Sequence, residues 1–438
     1  MRILHYFLGP HRKGGLNRYV RDLAQAQREA GHDVFLLYPA GGLWISAAPE
    51  LGRHGAYQGV PLYRLLGGKA VPLLEGVCHP DLILAPGRLL SQEQRERFWK
   101  EVSPEILHIH SWMGFPAELL ETAKAHGGRC LFTTHDYYGL CPKVNFVTAD
   151  GQYCTGGDDA LCTRCNAGAP GERALSLRNC QGLLALKGLL RPFLPLLQRR
   201  RGSAAGPVPG ESSPPLPYGA LRQYYLSLLS RCDGIHCNSR VAWNRYGHYL
   251  SEEKFHLLPI THGALEWAPC MREPEAGCLR LGFSGPEAPF KGLPMLLETL
   301  GALPRGNWRL EIWGTGKTRQ EGPFLWRGNY RNYRKAFASL DLLIVPSLWD
   351  ETFGFIVPEA LSLGVPVLCS RHVGAQSLLP PELVFQDQAD LRRRLARFLS
   401  HPEELAALRR RLVASPPPFP SLSRHQEEMT ALYRGLLS

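Results

Sequence analysis

The sequence predicts an α/β protein built from two doubly wound domains, and three observations carry that expectation. The first forty residues alternate strand, glycine-bearing loop, helix and strand. A second unit with the same rhythm restarts near Leu279. Strands in both units lead through loops into helices, the pattern of βαβ units around a parallel sheet. A length of 438 residues suits two or three domains. With 44% hydrophobic and 20% charged residues, the chain is globular and able to bury substantial cores.

Taken in order, Ile3 to Leu8 reads as the first strand and Gly9 to Gly15 as a loop. Leu16 to Ala30 reads as a helix with Tyr19, Val20, Leu23, Ala24 and Ala26 as apolar positions, stopped by Gly31-His32. Val34 to Tyr38 follows as a strand. Ile106 to His110, Cys130 to Thr134 and Gly234 to Asn238 read as further strands, with a helix from Pro116 to His126. The stretch from 137 to 220 breaks the rhythm. It holds a cysteine cluster, a leucine-rich segment from Leu183 to Leu197, the triplet Arg199-Arg200-Arg201 and a tract dense in Pro, Gly and Ser. That last tract has the composition of a mobile loop.

In the second unit, Leu281 to Ser284, Trp308 to Trp313 and Leu342 to Val345 read as strands. Leu293 to Leu303 and Tyr330 to Leu340 read as helices. Pro358 is expected to open a helix that Gly364 stops, with a strand from Val365. A last helix is expected from Ser421 to Leu437, with Leu422, Met429, Leu432 and Tyr433 as packing positions. The predicted organisation is a first domain over 1–265 with its insertion at about 137–220, a second over 274–418, and a helix at 419–438 crossing back to the first.

The N-terminus has a very short apolar run and reads as a strand rather than a signal peptide. No run of about 18 uninterrupted apolar residues is present, so no spanning helix is expected. The expected location is the cytoplasm or the inner face of the cell membrane. A net charge of +11 admits anionic lipid or phosphorylated ligands. No zinc-finger, RNA-recognition or helix-turn-helix signature appears, so no nucleic-acid partner is expected. Leu183 to Arg201 mixes leucines with Lys187, Arg191 and the arginine triplet, a composition that suits an anionic membrane surface or a covering flap alike.

Twelve cysteines in a chain read as cytoplasmic point to thiols or metal ligands rather than disulfides. Cys141, Cys154, Cys162 and Cys165 form C-x12-C-x7-C-x2-C, a candidate structural zinc site; free thiols, an iron–sulfur site and opportunistic disulfides are the alternatives.

The most informative stretch runs D-L-L-I-V-P-S-L-W-D-E-T-F-G-F-I-V-P-E-A-L-S-L-G-V-P-V-L from Asp341. Glu351 and Glu359 lie near the carboxyl end of a parallel strand and the start of the next helix, where open α/β sheets bind ligands. Their spacing alone equally fits ordinary acids at helix starts. Gly14-Gly15-Leu-Asn-Arg18 opens the first helix and suits close approach of a phosphate or sugar. Thr133-Thr-His135-Asp136 ends a strand, and His108 and His110 lie on another. Phe283-Ser-Gly285-Pro286-Glu-Ala-Pro-Phe-Lys291-Gly292 places a lysine where it can neutralise a departing diphosphate. Gly314-Thr-Gly316-Lys317-Thr318 fails the phosphate-loop pattern, because the first glycine it needs is Glu311.

The run from Glu351 to Val367 resembles the E-x7-E signature of glycosyltransferase family 4, retaining enzymes of the GT-B fold. Gly14-Gly15, His135, Lys291-Gly292 and the Gly314-x-Gly316 turn match the family in the same order. The resemblance covers most of the chain, least securely the 137–220 insertion and the tail. It implies a nucleotide diphosphate-sugar donor in the cleft of two Rossmann-like domains, with no catalytic cofactor. Glu359 would hold the ribose. Glu351 would orient the sugar, with Phe353 and Gly354 nearby. His135 would contact the sugar, while Lys291, Gly285, Gly314, Gly14 and Gly15 would line the donor. A glycan or lipid-linked acceptor in surface polysaccharide synthesis is the expected partner. Pro286 stands where the family carries a second phosphate-binding arginine. That departure leaves an inactive nucleotide-sugar-binding protein as the alternative.

Overall fold

The computed structural model describes residues 1–41, 49–85, 89–180, 214–270, 278–304, 306–316 and 318–438. The leucine-rich and Arg199–Arg201 segments, most of the Pro-rich tract, and Lys317 lie outside the described residues. The chain forms two units whose segments interleave in sequence. One comprises Met1–His236, Gly247–His256 and Gln426–Ser438; the other comprises Cys237–Tyr246 and Leu257–His425.

The first unit carries a sheet ordered β3-β4-β2-β1-β5-β6-β7-β8. Its strands are β1 (Arg2–Tyr6), β2 (Asp33–Ala40), β3 (Glu50–Tyr57), β4 (Val60–Leu66), β5 (Ile106–Ile109), β6 (Arg129–Thr133), β7 (Gly234–Cys237) and β8 (Phe255–Leu257). Pairs from β4 through β2, β1, β5 and β6 to β7 are parallel, and β3 is antiparallel to β4. Parallel strands covered on both faces are buried along their whole length, as in Ile106–Ile109, where every residue is buried and the one polar side chain, His108, is hydrogen-bonded through both ring nitrogens. The helix Gly15–Glu29 returns the chain from β1 to β2 and buries Tyr19, Val20, Leu23, Ala24 and Gln27 along one stripe.

The β3–β4 hairpin has no counterpart in the sequence expectation. Glu50–Tyr57 is largely exposed, so it lacks an apolar signal. Its turn is Gln58-Gly59, both at positive φ (48° and 82°), the two-residue form that suits hairpin twist. The C-terminal helix Leu422–Leu437 belongs to the first unit from Gln426 on and buries Met429 and Tyr433 completely. Leu422 and Leu432 are only half-buried.

The second unit carries β11-β12-β10-β9-β13-β14-β15. Its strands are β9 (Leu279–Ser284), β10 (Trp308–Trp313), β11 (Thr318–Glu321), β12 (Phe324–Gly328), β13 (Leu342–Val345), β14 (Val367–Ser370) and β15 (Val384–Phe385). All neighbours are parallel except β11 with β12. Read from β12 to β15, the order is 3-2-1-4-5-6, the doubly wound arrangement of dinucleotide-binding domains. Strand order reverses between β9 and β13, and β1 and β5 hold the equivalent place in the first unit.

Two helix expectations are corrected. The stretch from Tyr330 to Leu340 is helical only over Tyr333–Phe337, because the Asn332 side chain accepts from Arg334 N–H and caps a later start. The helix expected to open at Pro358 spans Ile356–Leu361 and starts two residues earlier. Proline is tolerated at its third position because the first four helical N–H groups have no partner within the helix. Gly364, at φ +72°, ends the segment as expected.

Candidate active site

In an open α/β sheet, ligands bind outside the carboxyl ends of the strands where the order reverses. In the second unit those are the ends of β9 and β13. The loop after β9 carries Gly285 and Lys291, and the loop after β13 carries Ser347, Asp350 and Glu351. Lys291 Nζ donates to Glu351 Oε1 at 2.8 Å and lies 5.1 Å from the centre of the Trp349 ring. The Ser347 hydroxyl donates to the same Glu351 oxygen. Glu351 is buried and Lys291 keeps 21% of its side chain exposed, so the pair opens to solvent on the lysine side.

Backbone geometry fixes both loops. Gly292 has φ +76°, and a Cβ there would collide with the carbonyl oxygen of Pro346, so the β9 and β13 loops meet backbone to backbone beside Lys291. Gly314, at φ +91°, approaches Gly285 as closely: an added Cβ would sit 2.9 Å from Gly285 O. Gly285 N–H donates to Trp313 O at 3.0 Å. Gly354 is also left-handed, at φ +91°, and Phe353 is buried with its carbonyl accepting from Ala375 N–H at 2.7 Å.

Glu359 is buried on the helix Ile356–Leu361, and its Oε1 lies 3.1 Å from Nε2 of the fully buried His262. The imidazole packs edge-on against Phe355 at 5.1 Å. A second buried set stands next to Glu351 in sequence. Asp350 Oδ2 accepts from Arg245 Nε at 3.0 Å and Nη2 at 2.6 Å, while Asp350 Oδ1 meets His372 Nδ1 at 2.7 Å. The structure thus brings Lys291 and Glu351 into direct contact and gives Glu359 a separate partner. His262, Arg245 and His372 escape sequence reading because they pair with residues 97, 105 and 22 positions away.

In the first unit, Gly14 is the N-cap of the helix Gly15–Glu29 at φ 111°. A Cβ on Gly14 would meet nothing within 4 Å, so this backbone faces open space. His135 lies just beyond β6, half-buried, and its Nε2 is 3.1 Å from Nδ1 of His110, just beyond β5. Asp136 accepts from Tyr138 N–H at 2.9 Å and from Ser111 Oγ at 3.4 Å. Among the described residues, His5, His108 and His110 bring ring nitrogens within 4.8 Å of one another. Hydrogen bonds occupy both nitrogens of each ring, which holds the set together without an ion.

The four cysteines share one lobe after β6. Cys141 starts a turn closed by Val144 N–H onto its carbonyl at 2.8 Å, and Val144 (φ 73°) and Phe146 (φ 51°) adopt left-handed backbone, costly for side chains of their kind. Cys162 and Cys165 lie on the helix Asp159–Asn166. Arg222 ties the parts together through Leu140 O at 3.0 Å, Gly157 O at 2.9 Å and Cys162 Sγ at 3.7 Å. Burial pushes the Cys162 thiol up to about 11; Arg222 opposes this, and the nearby Cys141, Cys165 and Cys154 add to it.

The sequence matches the model of Glycosyltransferase Family 4 over residues 13–152 and that of Glycosyl transferases group 1 over residues 279–401. No curated protein sequence matches the chain. Among solved structures, sucrose-phosphate synthase from Thermosynechococcus elongatus is similar at TM-score 0.58 and 16% identity, covering 99% of this chain and 98% of that one. Anabaena HepE in complex with UDP is similar at TM-score 0.58 and 12% identity, with 99% and 100% covered. The catalytic domain of starch synthase IV from Arabidopsis thaliana, bound to ADP and acarbose, is similar at TM-score 0.55 and 14% identity, with 99% of each chain covered. Two parallel sheets with reversing strand order, each spanned in part by a matching family model, lead to one assignment: the chain belongs to the family 4 glycosyltransferases and has their GT-B fold of two Rossmann-like domains.

Proposed function

We propose that the protein is a retaining glycosyltransferase that moves a sugar from a nucleoside diphosphate-sugar to a glycan or lipid-linked acceptor. The observation that carries this reading is the Lys291–Glu351 contact at the β9/β13 reversal point. A diphosphate arriving there exchanges one anionic partner of Lys291 for another. It frees Glu351 to accept hydroxyls of the sugar, while Glu359, oriented by His262, accepts from the ribose. UDP, UDP-glucose and ADP in complexes of structural neighbours are the donor chemistry this reading extends to the present chain.

In the proposed step the acceptor oxygen attacks the anomeric carbon on the face from which the diphosphate leaves. The bond from anomeric carbon to diphosphate oxygen breaks, and the acceptor proton passes to the leaving phosphate. Lys291 and backbone N–H groups offset the charge that develops there, so no catalytic metal is assigned. The test is incubation with uridine, adenosine and guanosine diphosphate-sugars and glycan or lipid-linked acceptors. Nucleoside diphosphate release with an anomeric configuration matching the donor's is the expected result. Donor binding without release across the panel would instead favour a binding protein that has lost turnover, the reading Pro286 motivates.

The cysteine lobe is proposed to hold a structural zinc. Its spacing and the nearness of Cys141, Cys154 and Cys165 to the Cys162 thiol support this, and four thiolates suit a closed tetrahedral site; no three of the four sulfurs lie within 4.8 Å of one another, so the lobe would close around the ion on binding. Elemental analysis of protein purified under reducing conditions should find one equivalent of zinc. A metal-free, fully active protein would contradict it. Peripheral contact with an anionic inner-membrane surface is proposed from the net charge of +11. Among the described residues, no helix is long and apolar enough to cross a membrane.

A further inference from the structure

Behind His135 lies a continuous buried chain of hydrogen bonds. His135 Nε2 meets His110 Nδ1 at 3.1 Å, and His110 Nε2 meets His5 Nδ1 at 2.9 Å. His5 Nε2 meets Gln27 Oε1 at 2.7 Å, and Gln27 Nε2 donates to the Tyr433 hydroxyl at 3.1 Å. His5, His110, Gln27 and Tyr433 are all fully buried. They come from β1, the loop after β5, the helix Gly15–Glu29 and the helix Leu422–Leu437.

The chain has a direction. An amide oxygen only accepts, so His5 must carry its proton on Nε2. Burial lowers the His5 imidazolium to about 4, with the Gln27 hydrogen bond opposing, and burial together with the neighbouring histidines holds His110 well below the ordinary imidazole range, so both rings are neutral near pH 7. Neutral His5 then accepts at Nδ1, which makes His110 Nε2 the donor and His110 Nδ1 the acceptor. His135 must therefore donate from Nε2. Each link fixes the tautomer of the next.

We propose that His110, backed by His5 and Gln27, is a positioning residue that holds His135 as its Nε2–H tautomer and so keeps His135 Nδ1 a hydrogen-bond acceptor for a substrate hydroxyl. This rests on the reading that His135 contacts substrate. The Tyr19 ring, 5.0 Å from His135 and 5.8 Å from His110, packs the two imidazoles in place. An acceptor at that atom suits a neutral sugar hydroxyl and disfavours a bare phosphate oxygen, which has no proton to give. The chain therefore selects the hydroxyl-bearing part of a substrate.

Two-bond proton–nitrogen correlation spectra of the imidazole rings in the full-length protein test the chain directly. His135 is expected as Nε2–H at neutral pH. Detection of His135 as Nδ1–H, which requires every donor and acceptor from Gln27 outward to be exchanged, would overturn the proposal, as would an equal mixture. Kinetics form the second arm. His110→Asn keeps an oxygen where Nδ1 accepts and should stay within about threefold of wild-type kcat/KM, whereas His110→Leu should lose about tenfold, the scale found when an outer partner orienting a functional histidine is removed. Equal losses in both variants at unchanged thermal stability would reject the positioning role. His135→Ala at wild-type rate, with the tautomer as expected, would instead reject the substrate-contact reading and leave the hydrogen-bond order intact.

Discussion

Replacing Lys291 by alanine is expected to lower kcat for sugar transfer about 10²- to 10³-fold, the scale of removing one preorganised donor from the site of developing charge. Lys291 is the cation whose position on the β9 loop is fixed by Gly292 and whose ammonium already holds a carboxylate at 2.8 Å. Lys291→Arg should recover part of the rate, because charge is kept while the compact point contact is lost. The check is initial-rate measurement of nucleoside diphosphate release, with unfolding curves to confirm an intact fold. A kcat within threefold of wild type in folded Lys291→Ala would show that another group bears the leaving charge.

The largest effect on stability is expected at Asp350. Removing it leaves the Arg245 guanidinium buried, with two charge-assisted hydrogen bonds lost, and removes the contact to His372 at 2.7 Å. Breaking one side of a buried pair costs about 3–5 kcal/mol, mostly the penalty of the stranded charge. Urea unfolding of Asp350→Ala should show a loss of that size. The double variant Asp350→Ala with Arg245→Met should lose less than Asp350→Ala alone, because it removes the stranded charge as well. A loss below about 1 kcal/mol in the single variant would mean that water solvates Arg245 when its partner is gone. Asp350 adjoins Glu351, so the pair also anchors the loop that presents the proposed sugar contact.

The sequence was most legible where chemistry and burial coincide. Leu342–Val345 was readable to the residue because a strand buried on both faces writes itself as an unbroken apolar run, and Trp308–Trp313 because its apolar residues alternate with Arg309 and Glu311. The two domains followed from the repeated strand–helix rhythm, and Lys291 with Glu351 from the loops that end β9 and β13. Edges and long-range partners were illegible. Glu50–Tyr57 is held by pairing with β4 rather than by its own side chains. His262 carries no local signal, since its meaning lies in a carboxylate 97 positions later. The histidine chain was half visible: His108 and His110 stood out as a pair, but His5 and Gln27 join them only through the register of β1 on β5 and the buried face of the first helix.

Every proposed role in the second unit depends on a nucleoside diphosphate being held at the carboxyl ends of β9 and β13. A crystal structure of the protein soaked with the diphosphate product of its best donor tests this most directly. The expected result is phosphate oxygens within hydrogen-bond distance of Lys291 Nζ, the Lys291–Glu351 contact opened, and ribose hydroxyls on Glu359. A nucleotide bound elsewhere, with Lys291 still paired to Glu351, would contradict it.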